Sequence, residues 1–182
     1  MTVGATVALL VIGFAETLIF SVIAHLGKPP SFFGVLATLQ GVGSILGGIT
    51  AGAFLRRVGE VRGVGIGLGL FGLGDLFLVV HSLPVVLVGF FVAGVGIIWA
   101  IVAFTTALQT RTPLAIQGRV SAAADIFLSV AQTVSIAAGA ALSTVVDYRI
   151  LLVVLAAVVV ASAAYLFTRR IAPPASFEPT AA

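Results

Sequence analysis

Gly52-Ala53-Phe54-Leu55-Arg56-Arg57-Val58-Gly59-Glu60-Val61-Arg62 is the one stretch of this sequence where four charges sit close together. Three of the four are arginines, and an apolar run of membrane-spanning length lies on either side. A short charged joint between two long apolar segments suits a pair of membrane helices. The charges stay in water, while each helix satisfies its own backbone hydrogen bonds in hydrocarbon.

Composition supports that reading of the joint. The chain has 182 residues, 60% hydrophobic and only 8% charged, with mean hydropathy +1.28. A soluble domain carries about a quarter charged residues, so too little polar surface exists here to cover a water-soluble helical protein. A pI near 10.2 invites a nucleic-acid partner. The net charge is only +3, however, and the nine basic residues fall at segment ends rather than on one solvated face. With no cysteine there is no disulfide, thiolate metal site or cysteine nucleophile. The first apolar run has no basic residue before it and is long enough to span, so it does not read as a signal peptide.

A hydrocarbon core of ~30 Å takes about 20 apolar residues in a helix. Six runs meet that length: about 4–26, 32–55, 63–82, 85–109, 119–146 and 149–168. Gly27-Lys28-Pro29-Pro30, the arginine stretch, His81-Ser82-Leu83-Pro84, Thr110-Arg111-Thr112-Pro113 and Arg169-Arg170 punctuate them. The expectation is an all-α membrane protein with a six-helix transmembrane domain over 1–170 and a disordered cytoplasmic tail over 171–182. Strands are excluded by runs far longer than ~9–11 residues with no alternation of period two.

Along a six-helix zigzag, Arg56, Arg57, Arg62, Arg111, Arg119, Arg169 and Arg170 share one side, and Lys28 and Arg149 the other. Basic residues favour the cytoplasm, so both termini are expected there, as an even number of spans requires. The second and third spans are rich in Gly-x-x-x-Gly pairs, namely Gly43/Gly47, Gly48/Gly52, Gly63/Gly67 and Gly65/Gly69. Such pairs strip bulk from a helix face and admit a second backbone. Tight packing is the plain reading; faces that slide during a transport cycle are the sharper one.

Two motifs point elsewhere and fail on context. Gly67-Leu68-Gly69-Leu70-Phe71-Gly72 fits the spacing of a dinucleotide-binding loop. That loop needs free N–H groups at a helix start, and mid-span N–H groups are already bonded. Ser44, with His25 and His81, suggests an intramembrane serine protease. Ser44 is near mid-span, however, whereas both histidines lie near span ends, out of reach of a nucleophile. No cluster of histidines and acids has metal-ligand spacing, and no cofactor is implied.

Three acids fall inside spans: Glu16, Asp75 and Asp125. An acid at mid-bilayer costs ~2.5–3.5 kcal/mol on insertion scales, so it faces protein or a wet cavity and is a functional candidate by default. Glu16, near the centre of the first span, reads equally as a proton or cation site and as an acid hydrogen-bonded to a neighbouring helix. Asp125, about two turns into the fifth span, is placed to meet Arg57 or Arg119. Such a contact would form a latch on the cytoplasmic side together with the loop residues Gly59 and Arg62. Asp75 lies in the outer half of the third span, with no partner readable from sequence. Gln40, Trp99, Thr105, Thr106 and Gln132 are able to line an amphiphilic cavity; each is also an ordinary interhelical hydrogen-bonding or packing residue.

The spacing of Gly52, Arg57, Gly59 and Arg62 resembles the short loop of the major facilitator superfamily of transporters, Gly-x-Leu-x-Asp-Arg-x-Gly-Arg-Arg-x. Phe54 stands for its leucine, Arg56 replaces its aspartate and Glu60 a basic residue. Gln109-Thr110-Arg111-Thr112-Pro113 with Gly118-Arg119-Val120 is similar to the connection between helices ten and eleven in bacterial drug and siderophore exporters of that family. Gln132 and Gly139 resemble their helix eleven. Residues 4–170 would then be helices seven to twelve, a 3+3 inverted repeat forming half of a twelve-helix transporter. The resemblance implies a cavity lined by helices seven, eight, ten and eleven, hence by Glu16, Gln40, Trp99 and Gln132. Asp75, on the peripheral ninth helix, would stand apart from substrate. It further implies a multi-pass protein of the inner (plasma) membrane, present as a half or truncated chain, whose partners are the lipid bilayer, a small-molecule substrate, protons and a second six-helix half, either a separate chain or a second copy of this one. Proton influx would drive efflux of small amphiphilic compounds. The rival reading is a non-transporting membrane scaffold or assembly partner.

Overall fold

The computed structural model describes residues 19–142, except 21 and 81, together with positions 150, 153, 154, 157 and 161. Most of the first and sixth expected spans, the tail and Glu16 therefore lie outside the described residues. Within them, every regular element is helical. A 3-10 turn, Pro30–Phe32, leads into helix α1, Phe33–Val58. Helices α2 (Glu60–Phe77), α3 (Leu83–Arg111) and α4 (Leu114–Leu142) follow. These are the second to fifth expected spans.

The joint in the arginine stretch is one residue long. Gly59 has φ +80° and ψ 161°, a conformation that a side chain strains. A Cβ there would meet nothing within 4 Å, so backbone geometry alone asks for glycine. The Gly59 N–H donates to the Leu55 carbonyl at 2.9 Å, and the Gly59 carbonyl accepts from the Gly63 N–H at 2.9 Å. One residue thus closes α1 and opens α2. Charge also moves the helix boundaries outward from those expected. Arg56 and Arg57 fill the last turn of α1 and Glu60 the first turn of α2, matching the partial charges of those helix ends. At the other joints, Pro84 sits in the first turn of α3, where its missing N–H costs nothing. Thr112, extended at φ −113° and ψ 127° before Pro113, stops that helix.

Pro30–Val58, α3 and α4 are each 29 residues long and apolar enough to cross a membrane. Helix α2 has 18 residues, about 27 Å of rise, and carries Glu60, Arg62 and Asp75. It is a shorter rod, sheltered along one side by α3.

Helix α3 is the centre of the described bundle, packing along α2 on one side and α1 on the other, while α1 and α2 barely touch beyond their joint. The α2–α3 seam is made by missing side chains. A Cβ on Gly74 would sit 2.6 Å from the Gly89 carbonyl oxygen, and one on Gly96 would sit 2.6 Å from the Phe71 nitrogen. The two backbones are therefore in direct contact, and Val64, Leu68, Phe71, Ala93, Ala100 and Ala103 fill the remaining space. The α1–α3 seam uses Gly43 and Gly94, each facing the other helix's backbone. Gly48 has only Ile98 Cγ2 at 4.0 Å, so the Gly48/Gly52 pair is not part of that seam.

Broad apolar faces remain uncovered. On α1 they include Ile45 and Ile49; on α4, Ile126, Phe127, Val130 and Val134. In hydrocarbon such faces carry no penalty, since lipid tails are as apolar as the side chains. The hydroxyls of Thr38, Thr105, Thr106 and Thr133 donate to the carbonyl four residues earlier in their own helices. That is how these polar residues fit inside long apolar helices. Thr105 and Thr106 accordingly make neither an interhelical bond nor a described cavity wall.

Candidate functional site

The two ends of the bundle differ. One end carries Arg56, Arg57, Arg62 and Arg111; the far end carries Lys28 and Ser82. Towards the far end, α1, α2, α3 and the residues before the 3-10 turn enclose a cavity of about 460 Å³. Its described walls are apolar at Ile19, Phe20, Phe33, Phe71, Leu78, Phe90, Ala93 and Ile97, and polar at Gln40 and Asp75.

Asp75 reaches that cavity through helix geometry. Leu68, Phe71, Asp75 and Leu78 recur at intervals of three and four, on the face of α2 turned to α3. The acid is therefore 5% exposed, and Oδ2 has no hydrogen-bond partner among the described residues. An unsatisfied buried polar oxygen costs ~1–3 kcal/mol, and orphans of this kind call for a reason. Gln40 is held in the opposite wall by the α1–α3 seam, its backbone carbonyl lying against Gly94. Phe20 and Phe33, both partly exposed, stack in its wall with ring centroids 5.6 Å apart.

From mid-bundle to the arginine end the helices are pinned together by polar side chains. The Trp99 indole Nε1 of α3 donates to the Gly47 carbonyl at 3.0 Å and to Thr50 Oγ1 at 3.0 Å on α1. Its ring stacks on Phe54 at 3.9 Å. The Ser44 hydroxyl, used here as an interhelical donor, bonds the Gly94 carbonyl at 3.2 Å. Thr110 Oγ1 at the foot of α3 donates to both carboxylate oxygens of Glu60 on α2, at 3.1 Å each.

The structure therefore separates residues that the sequence grouped. Gln40 lines the cavity. Trp99 lies in the α1–α3 seam and is not among the described cavity walls. Gln132 is half-buried on α4, away from both. Arg57, Arg62 and Asp125 are exposed, α4 scarcely touches the other helices, and no ion pair joins Asp125 to Arg57 or Arg119 in this conformation. Asp75, set apart from substrate by the resemblance, is the acid that the described fold brings to a cavity. Its 3–4 spacing from Leu68, Phe71 and Leu78 was the available signal. It was masked because α2 is apolar on every side.

The family model described as Major Facilitator Superfamily matches residues 3–182. The chain belongs to the major facilitator superfamily. No match was found among curated proteins or among solved structures. As a major facilitator protein the chain is a multi-pass membrane protein of a family of transporters rather than enzymes. The glycine-joined, apolar helices described here are consistent with that solvent.

Proposed function

We propose that this major facilitator chain is a six-helix half of a secondary active transporter that exports small amphiphilic compounds in exchange for protons. The observation that carries the reading is the far-end cavity. Its described walls set eight apolar side chains beside two polar ones, Asp75 and Gln40, the mixed lining expected of a site for an amphiphile. The arginine end faces the cytoplasm of the inner (plasma) membrane by the basic-residue rule, which turns the cavity outward. The exposed apolar faces of α1 and α4 are the surfaces offered to lipid and to a second six-helix half. Rocking of the halves would alternate access. Arg57, Gly59, Arg62 and Asp125 would act as a cytoplasmic latch in another conformation, while Glu16 and Gln132 would contribute to the central path.

The test is proton-driven efflux of a fluorescent amphiphilic dye from vesicles holding the native chain or Glu16→Gln. A gradient-dependent flux that Glu16→Gln abolishes supports the reading. Equal flux in both removes Glu16 from the coupling step. Absence of flux in every assembly, including co-expression with a second half, favours a membrane scaffold instead.

A further inference from the structure

We infer that the far-end cavity is a binding site for a protonated organic amine, whose ammonium group hydrogen-bonds to the free oxygen of Asp75 while its apolar body lies among Phe20, Phe33, Phe71 and Phe90. The role of such an amine as cargo rests on the transport reading; the binding itself does not.

Three features select this ligand class. Asp75 is an acceptor that the described protein leaves unanswered: it is 95% buried, reckoned from its 5% exposure, it opens on the cavity, and Oδ2 has no partner. What completes its carboxylate form brings an N–H or O–H donor, and a positive charge both favours that form and strengthens the bond about twofold. Four phenylalanines line the same space. Their ring faces are electronegative and attract a cation, the more so where water is excluded. Gln40 alone adds a neutral polar contact, so no basic side chain in the described walls competes for the acid or invites an anion. An inorganic cation fits poorly, because it would need several oxygen ligands and the described walls offer the side chains of Asp75 and Gln40. An acidic or neutral solute would leave Asp75 unanswered or answered weakly. The stacked Phe20–Phe33 pair in the wall offers an apolar surface for the tail to lie against.

The probe is 4-phenylbutylammonium, with 4-phenylbutanol as the neutral counterpart of the same length. Binding of each to the purified full chain in lipid nanodiscs is measured by equilibrium dialysis. The native chain is expected to prefer the ammonium by about tenfold or more, the size of one hydrogen bond to a charged group. Asp75→Asn is expected to erase that preference while leaving the alcohol's affinity within about twofold. Phe33→Leu, at a partly exposed position that tolerates change, is expected to weaken ammonium binding several-fold. It serves as the second variant should Asp75→Asn fail to assemble. Equal affinity of the native chain for the two probes would overturn the proposal, because the cavity would then be a slot for any amphiphile. So would a preference that survives Asp75→Asn, or one indifferent to Phe33→Leu. Because dialysis needs no flux, a chain that binds the ammonium yet transports nothing keeps the site and discards the transport reading. A chain that transports without the preference does the reverse.

Discussion

The far end and the arginine end of the bundle are built from the same three helices and use polar groups in opposite ways. At the arginine end each interhelical polar side chain is answered: Trp99 by Gly47 and Thr50, Thr110 by Glu60. At the far end Asp75 Oδ2 is buried and unanswered, on a residue that lines the cavity. In a membrane, where a lone polar group finds no water to relieve it, answered groups hold helices together. Unanswered ones lower stability and are kept only for what they bind. The contrast teaches that the hydrogen bonds joining the helices and the one orphaned acceptor among the described residues lie at different heights along the helix axis.

The largest effect expected bears on what both ends share, the backbone contact between α2 and α3. Gly74→Val puts side-chain atoms where the Gly89 carbonyl and Ala93 already lie. It should cost about 3 kcal/mol, while Gly48→Val, whose Cβ would have only Ile98 Cγ2 at 4.0 Å, should stay within about 0.5 kcal/mol. Thermal unfolding in detergent with a size-exclusion readout checks both. If Gly48→Val proved the worse of the two, the assignment of the seam would be wrong.

The next effect has the opposite sign. Asp75→Leu removes an orphaned oxygen and fills part of the cavity with methyl groups, so the chain should become more stable by about 1–2 kcal/mol while losing amine binding. A destabilised variant would show that Asp75 is a structural partner after all, and the contrast between the ends would break.

Trp99→Phe keeps a ring to stack on Phe54 and deletes the donor to α1. A loss of about 0.6–1.7 kcal/mol is expected, the range for interhelical hydrogen bonds in membrane proteins, with amine binding unchanged. Altered binding would move Trp99 into the substrate path. Thr110→Val is the smallest step: its partner Glu60 lies at the water boundary, so a loss of about 0.5 kcal/mol is expected, resolved by chemical denaturation in mixed micelles.

How much of this was legible beforehand varies residue by residue. The helices and the clustering of arginines at one end followed from run length and the position of the basic residues. Their limits were less so: α2 begins at Glu60 rather than 63 and α1 ends at Val58 rather than 55, because capping charges and one positive φ act locally, beneath the resolution of hydropathy. Gln40 lines a cavity whose described walls come in part from α2 and not from the fifth span. Trp99 did not join it, because an indole N–H in hydrocarbon takes the nearest free acceptor, and the glycines of α1 leave a carbonyl within reach. Asp125 and Arg57 share an end of the bundle but not a contact, since α4 stands off from α1.

Sequence alone determined the solvent, the helical class, the family and the shared end of Arg56, Arg57, Arg62 and Arg111. Each depends on summed burial and charge along the chain, which no neighbour alters. Only the tertiary structure decided which acid meets a cavity and which polar groups are spent on holding helices together. In helices apolar on all sides no face announces itself, and the choice falls to where glycines let two backbones touch.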